Sequence, residues 1–336
     1  MHIVHLVCSP AFAGVEQHML TTAIEQAKTE RVSVIGGDPK AMRPGLEAAG
    51  VQWYPGGSRA EAWRSLRGIE SYDILATHMT DADVVGAFAH TKGSKVISTR
   101  HFAAPRGSSP LAKAIARVVN PRIDAQISIS QFVADRVEGD STVIYNGVLV
   151  AEESATAREK TVLVMQRLEP EKDTGLALAA WELSQARANG YKLVIGGRGA
   201  LTDDLVADAR RRGISDSVEF AGFIEDPGAL LDQVSIVVAT APSEPLGLVV
   251  LEAMAHGVAV IASDGGGHRE TVGSVNTAHM FPPHNAAALA AQIDSLAADA
   301  GAREAYGAEL RARQREAFTI AHQVEQGLAL YRAVLA

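Results

Sequence analysis

Short apolar runs recur along the chain, each closed by a polar or glycine-rich break and followed by a stretch with helical spacing. Residues 2–7 form the first run, Ser9-Pro10-Ala11-Phe12-Ala13-Gly14 breaks it, and Val15 to Ala27 has helix-compatible spacing. Further strands are predicted at 31–36, 51–54, 74–77, 95–99 and 125–129, with helical segments between most of them. Such alternation indicates a mostly parallel sheet covered by helices on both faces. Thr142 to Tyr145 reads as one more strand, ending at the turn-forming pair Asn146-Gly147, and 152–160 is charged and short of large apolar residues. A boundary is therefore expected here, making 1–150 the first domain.

A second cycle follows, with strands predicted at 161–165, 192–196, 218–220, 234–239 and 258–263, and helices at 176–188 and 202–212. From 286 to 336 the pattern is mainly helical, broken near Gly301 and at Phe318-Thr319. The second domain is expected over 151–317, with 318–336 as a closing helix. The fold class is therefore α/β, two Rossmann-like doubly wound domains. In such sheets ligands sit beyond the carboxyl ends of the strands, so two domains facing across a cleft can hold a donor on one side and an acceptor on the other.

Composition narrows the function classes. A chain of 336 residues suits two domains of about 150 residues each. Its 31 basic and 39 acidic residues argue against a broad nucleic-acid surface. Cys8, the only cysteine, excludes an intrachain disulfide and a cysteine-cluster metal site, and is read as a buried strand residue. No run reaches the roughly eighteen apolar residues of a membrane span, so the chain is read as cytoplasmic, with peripheral membrane contact left open.

The densest polar signal lies in Ser243-Glu244-Pro245-Leu246-Gly247-Leu248-Val249-Val250-Leu251-Glu252. A strand ends near Ala239, and a helix is expected to begin close to Leu248. Free amides at that helix start suit diphosphate oxygens, and Gly247 lets backbone approach them. Glu252 on the first turns suits ribose hydroxyls, and Glu244 in the loop suits a sugar. The plain alternative is a capping Glu244 and a surface Glu252. After the strand ending at Met165, Arg167 and Lys172 offer two cations to a diphosphate, or are ordinary solvated loop charges. Gly196-Gly197-Arg198-Gly199 is a weak phosphate-loop pattern, and Gly265-Gly266-Gly267 before a helical segment offers further amides. In the first domain, Gly14 precedes a helix and His101 follows a strand. His78 and the loop 100–112, with Arg100 and Arg106, are read as acceptor-side, the loop having an ordered-surface alternative. His2, His5 and His18 are read as structural or exposed. Neither His78 nor His101 has carboxylate partners at zinc-site spacing, so no catalytic metal is expected.

In combination and in this order, these motifs resemble the retaining glycosyltransferases of family 4, which have the GT-B fold, over nearly the whole chain. Glu244 through Glu252 is the family's Glu-x7-Glu motif. Gly14-Val15-Glu16, Asn146-Gly147-Val148, Arg167 with Lys172, Gly196 to Gly199 and Gly265 to Glu270 are the other matches. Ala13 departs from the pattern, where a second glycine is common. The resemblance implies that Glu244 contacts the donor sugar and Glu252 the ribose. Arg167 and Lys172, with amides near Gly247, Leu248 and Val249, would hold the departing diphosphate. His101 would lie near the donor sugar, Phe223 and Ile224 near the base, and Gly14 and Gly197 near the donor phosphates. It further implies a hexosyltransferase-like enzyme using a nucleotide-diphosphate sugar, same-face substitution without a metal cofactor, and a final helix crossing back to the first domain. Donor base, sugar, acceptor and oligomeric state stay open. A sugar-nucleotide epimerase of similar fold and a non-catalytic sugar-nucleotide-binding protein are the competing readings.

Overall fold

The computed structural model describes residues 1–107, 110–154 and 157–336. Ser108 and Ser109 of the expected acceptor-side loop, and Ala155 and Thr156 of the charged stretch 152–160, lie outside the described residues. The chain forms two compact units, one of Met1–Gly147 with Ile320–Ala336 and one of Val148–Thr319.

In the first unit β1 (His2–Val7), α1 (Gly14–Gln26), β2 (Arg31–Ile35), α2 (Pro39–Ala48), β3 (Gln52–Tyr54), α3 (Arg59–Arg67), β4 (Ile74–His78), α4 (Thr80–Ala89), β5 (Lys95–Arg100), α5 (Pro110–Val119), β6 (Ala125–Ser128), α6 (Gln131–Ala134) and β7 (Thr142–Val143) alternate. The sheet is parallel throughout, in the order β3-β2-β1-β4-β5-β6-β7. Every residue of β1 is buried, as a parallel strand covered on both faces requires. Its side chains divide by the strand's period of two. Val4 and Leu6 join Leu66, Leu75, Val85 and Val96 on one face. Ile3 joins Ile74 and Ile97 on the other, where the helix Ile320–Leu335 contributes Val324, Leu328 and Tyr331. His5 falls on this second face.

The second unit runs β8 (Glu159–Met165), α7 (Thr174–Leu183), β9 (Lys192–Gly196), α8 (Thr202–Arg211), β10 (Val218–Gly222), α9 (Pro227–Gln233), β11 (Val234–Ala239), α10 (Leu248–Ala255), β12 (Ala259–Ser263), β13 (His279–Phe281), α11 (Ala286–Ala298) and α12 (Ala300–Ala317). Its parallel sheet has the order β10-β9-β8-β11-β12-β13. Trp181 on α7 is fully buried and donates its indole N–H to Ser217 Oγ at 3.1 Å, so its one polar atom is satisfied inside the core. The edges of the two units fall at 147/148 and 319/320. The final helix, Ile320–Leu335, is labelled α13. Among the described residues no helix is long and apolar enough to cross a membrane. Cys8 lies just past β1, half-buried, and burial pushes its thiol up to about 12, which keeps it protonated.

Candidate active site

In the second unit the strand order reverses between β8 and β11, the position at which sheets of this kind bind their ligands, beyond the carboxyl ends of the strands. The loop after β8 makes a short helical turn, Pro170–Lys172, and ends at Asp173, whose φ of 49° is left-handed. His284 Nδ1 lies 2.8 Å from the Asp173 carboxylate. Gln166, next to the end of β8, reaches from its amide nitrogen to the Lys172 carbonyl at 3.0 Å and to Thr240 Oγ1 at 2.9 Å. Thr240, next to the end of β11, donates to the same carbonyl at 2.6 Å. The backbone of Lys172 is thus fixed from both strands. Its Nζ meets Glu244 Oε2 at 2.5 Å, and both side chains are 17% exposed. Partial burial spares this pair much of the screening that weakens surface ion pairs. Arg167 stands apart, exposed and paired with Glu171 at 2.7 Å.

Glu244 is carried by the loop that leads into α10. Gly247, with φ 98°, occupies the N-cap, and no side chain caps the first turn. The leading amides of Leu248 and Val249 are therefore available donors at the positive end of the helix. The run Gly265–Gly267 acts differently from the sequence expectation. Gly265 N–H already donates to Ser263 O and Gly267 N–H to Glu244 O. A Cβ at Gly266 would lie 2.3 Å from the Glu244 carbonyl oxygen, so these glycines let two loops touch, and the amides of Gly265 and Gly267 are already used. Beside them His268 is buried, 3.3 Å from Ser263 Oγ, and burial lowers its ring to about 4. Glu252 on α10 is largely buried, and burial alone raises its carboxyl to about 7.

Gly197 corrects a second expectation. Its φ is 128°, its N–H is donated to Gly222 O at 2.6 Å, and a Cβ there would lie 1.9 Å from Gln166 O. Close packing of the β8 and β9 loops explains this glycine, and its amide is not free for a phosphate. Phe223, after β10, is 65% exposed, while Ile224 packs on Gly196.

The first unit reverses strand order between β1 and β4, and there it collects histidines. His5 on β1, His18 on α1, His78 at the end of β4 and His101 after β5 are all buried. His5 Nδ1 is 3.0 Å from His78 Nε2, and His78 Nδ1 is 3.0 Å from His101 Nε2. Among the described residues His18, His78 and His101 bring ring nitrogens within 4.8 Å of one another. His78, 1% exposed, thus belongs to this row and does not present itself to an acceptor. Arg100 and Arg106 are corrected as well. Arg106, with its side chain 3% exposed, pairs with Asp83 at 2.6 Å and Glu138 at 2.7 Å and donates to Ser98 Oγ. Arg100 bonds Gln126, Glu138 and the Ala104 carbonyl. Buried guanidinium groups need such partners, and neither arginine has its charge to spare for an acceptor. Gly14 begins α1 and is exposed.

Sequence reasoning gave no role to Gln166, Thr240 or His268, and it read His5 and His18 as structural or exposed. Gln166 and Thr240 each adjoin a strand end, the one signal that marked Lys172. Nothing local in the sequence joins His5 to His78.

The whole chain superimposes on the Anabaena protein HepE in complex with UDP and glucose, with a TM-score of 0.83 and 21% identity, covering 99% of this chain and 100% of that one. Residues 2–152 match the family Glycosyltransferase Family 4, and residues 149–315 match Glycosyl transferases group 1. The chain belongs to the GT-B glycosyltransferases. This GT-B chain is 29% identical over 258 residues to a glycogen synthase of Mycobacterium tuberculosis, covering 70% of this chain and 61% of that protein. A lipopolysaccharide core biosynthesis mannosyltransferase of Rhizobium leguminosarum bv. viciae is 27% identical over 299 residues, covering 84% of this chain and 80% of the relative. The expected relation to these glycosyltransferase families and the expected fold are thereby borne out.

Proposed function

We propose that this GT-B chain is a retaining glycosyltransferase that moves a sugar from a nucleoside-diphosphate donor to a hydroxyl acceptor. The observation that carries the reading is the Lys172–Glu244 pair, held at the switch point of the second sheet beside the uncapped start of α10. Heterolysis of the anomeric C–O bond puts negative charge on the departing diphosphate and positive charge on the sugar. A cation and helix amides already in place meet the first without reorganising. In this reading Lys172 and the amides of Leu248 and Val249 hold the diphosphate, Arg167 swings from Glu171 to join them, and Glu252 takes the ribose. Phe223 and Ile224 flank the base, and Gly14 approaches the phosphate. The acceptor oxygen bonds to the anomeric carbon on the face the diphosphate leaves, and the acceptor proton passes to a diphosphate oxygen. Glu244 yields Lys172 to the diphosphate and serves the sugar's hydroxyls, not as a nucleophile. His101 meets the sugar as a neutral imidazole, since burial and Arg100 lower it to about 3.

The test is a panel of radiolabelled UDP-, GDP- and ADP-sugars, assayed without added metal for transfer to an acceptor library and for slow hydrolysis. Lys172→Ala should lower turnover of the accepted donor by roughly two to three orders of magnitude while the far-UV spectrum and melting curve stay close to the parent's. Equal turnover by the folded variant would remove Lys172 from the chemistry.

A further inference from the structure

We propose that Gln26, His5 and His78 are positioning residues that fix which ring nitrogen of His101 carries its proton. The proposal rests on the reading that His101 meets the donor sugar, and it concerns the row behind it. His5 Nε2 lies 2.7 Å from Gln26 Oε1, and Gln26 is 1% exposed at the end of α1. The buried Tyr331 lines the same cavity as this amide. An amide oxygen only accepts, so His5 must carry its hydrogen on Nε2 and present a bare Nδ1.

The remaining assignments follow along the row. His78 donates from Nε2 to His5 Nδ1, leaving His78 Nδ1 bare, and His101 donates from Nε2 to His78 Nδ1. Each junction holds one hydrogen: two would collide, and none would leave two buried lone pairs facing one another. The row therefore has only two settings, and the amide at its end selects one. In that setting Nδ1 of His101 is a proton-free acceptor, fit to receive a sugar hydroxyl. Burial keeps the row from taking up an extra proton, holding His5 at about 4 and His101 at about 3. The four residues come from α1, β1, β4 and the segment after β5, so a side chain on α1 sets the hydrogen-bonding sense of one that lies beyond the opposite strands.

The row runs beside a cavity of about 20 Å³, large enough for one water, whose lining includes His18 and Asn146. His18 Nδ1 and Asn146 Oδ1 are buried without a partner. His18, His78 and His101, whose ring nitrogens lie within 4.8 Å of one another, also form a donor set that a borderline ion such as Zn²⁺ accepts, so the experiment must separate a relay from a metal centre.

Ring ¹⁵N–¹H correlation spectra of the full chain, labelled at histidine, read each tautomer directly. Expected are Nε2–H and proton-free Nδ1 for His5, His78 and His101 in the parent. Gln26→Met should return His101 to a mixture of tautomers and lower kcat for the accepted donor about tenfold with a smaller change in KM. Gln26→Glu, which keeps an acceptor, should restore both. An Nδ1–H tautomer at any of the three rings in the parent overturns the relay without any variant or substrate. Reset rings with unchanged kcat overturn the positioning role, and if His101→Ala also leaves turnover unchanged, the fault lies in the reading of His101 at the sugar. Stoichiometric Zn²⁺ binding that is abolished in His18→Ala would make the cluster a metal centre and likewise overturn the relay.

Discussion

Nucleotide binding should expel a proton from Glu252. Burial raises its carboxyl from 4.5 to about 7, with no neighbouring charge contributing. At pH 6 such a group is roughly nine-tenths protonated, and at pH 8 roughly one-tenth. Two ribose hydroxyls donating to it would favour the carboxylate and pull the group back toward its ordinary value. About 0.9 proton should then leave per nucleotide bound at pH 6, and about 0.1 at pH 8. Titration calorimetry in buffers of different ionisation enthalpy counts these protons. The terminal phosphate of the nucleotide titrates in the same range, so the quantity to read is the difference between the parent and Glu252→Gln. The sign of the stability effect follows from the same shift. Between about 4.5 and 7 the folded chain keeps a proton the unfolded chain has lost, so stability falls as pH rises through that window, by about 3 kcal/mol in all. Glu252→Gln should flatten that slope and weaken nucleotide binding roughly tenfold or more, because a hydrogen bond to a charged group contributes about 1.5–3 kcal/mol. Identical proton counts in parent and variant at pH 6 would refute the ribose role and the argument from burial together.

Two further outcomes test the corrections made by the structure. Arg106→Met should cost about 3–5 kcal/mol of stability in urea melts, because it strands Asp83 in a buried site; a loss below about 1 kcal/mol would refute the buried pairing and reopen the acceptor-side role that the sequence suggested. Gly267→Ala should lower the melting temperature more than Gly247→Ala, since a Cβ at 267 would lie 2.5 Å from the Pro245 carbonyl oxygen, whereas at 247 it meets nothing nearer than 3.4 Å and the strain comes from φ alone. The reverse order in thermal melts would show that the glycine run is not what holds the Glu244 loop.

Strand and helix positions were readable because the apolar runs are short and each is closed by a polar or glycine-rich break. β9 and β11 fall where expected, and α10 begins at Leu248 as the loop chemistry suggested. β13 was missed because His279–Phe281 is only 3 residues long and carries no alternation. Lys172 and Glu244 could be found, since each follows a strand end, but their contact could not, because it spans 72 residues. Arg106 misled for the same reason. Its partners Asp83 and Glu138 lie 23 and 32 residues away, and in sequence it is a lone cation in a polar loop. The glycines at 265–267 misled differently: composition shows that backbone comes close to something there, but not whether that something is a ligand or the chain itself.

The two sheets share one strand order around their switch points yet fill them with opposite chemistry, and the difference follows from what each can stabilise. In the second unit the switch point holds a cation, a carboxylate and the positive end of a helix, the ion pair partly accessible. A diphosphate can exchange with Glu244 for Lys172 there at little cost, because the lysine is already desolvated in part and already held by Gln166 and Thr240. In the first unit both arginines near the switch point are committed to Asp83 and Glu138, and the row itself is neutral imidazole. Such a row offers no charge to a phosphate and would repay little of its desolvation. It can instead present a directed lone pair or a single N–H, which is what discriminates one hydroxyl from another without binding charge. Affinity for the nucleotide should therefore respond to substitutions at Lys172 and Glu252 and be nearly indifferent to those in the histidine row, while turnover should respond to both.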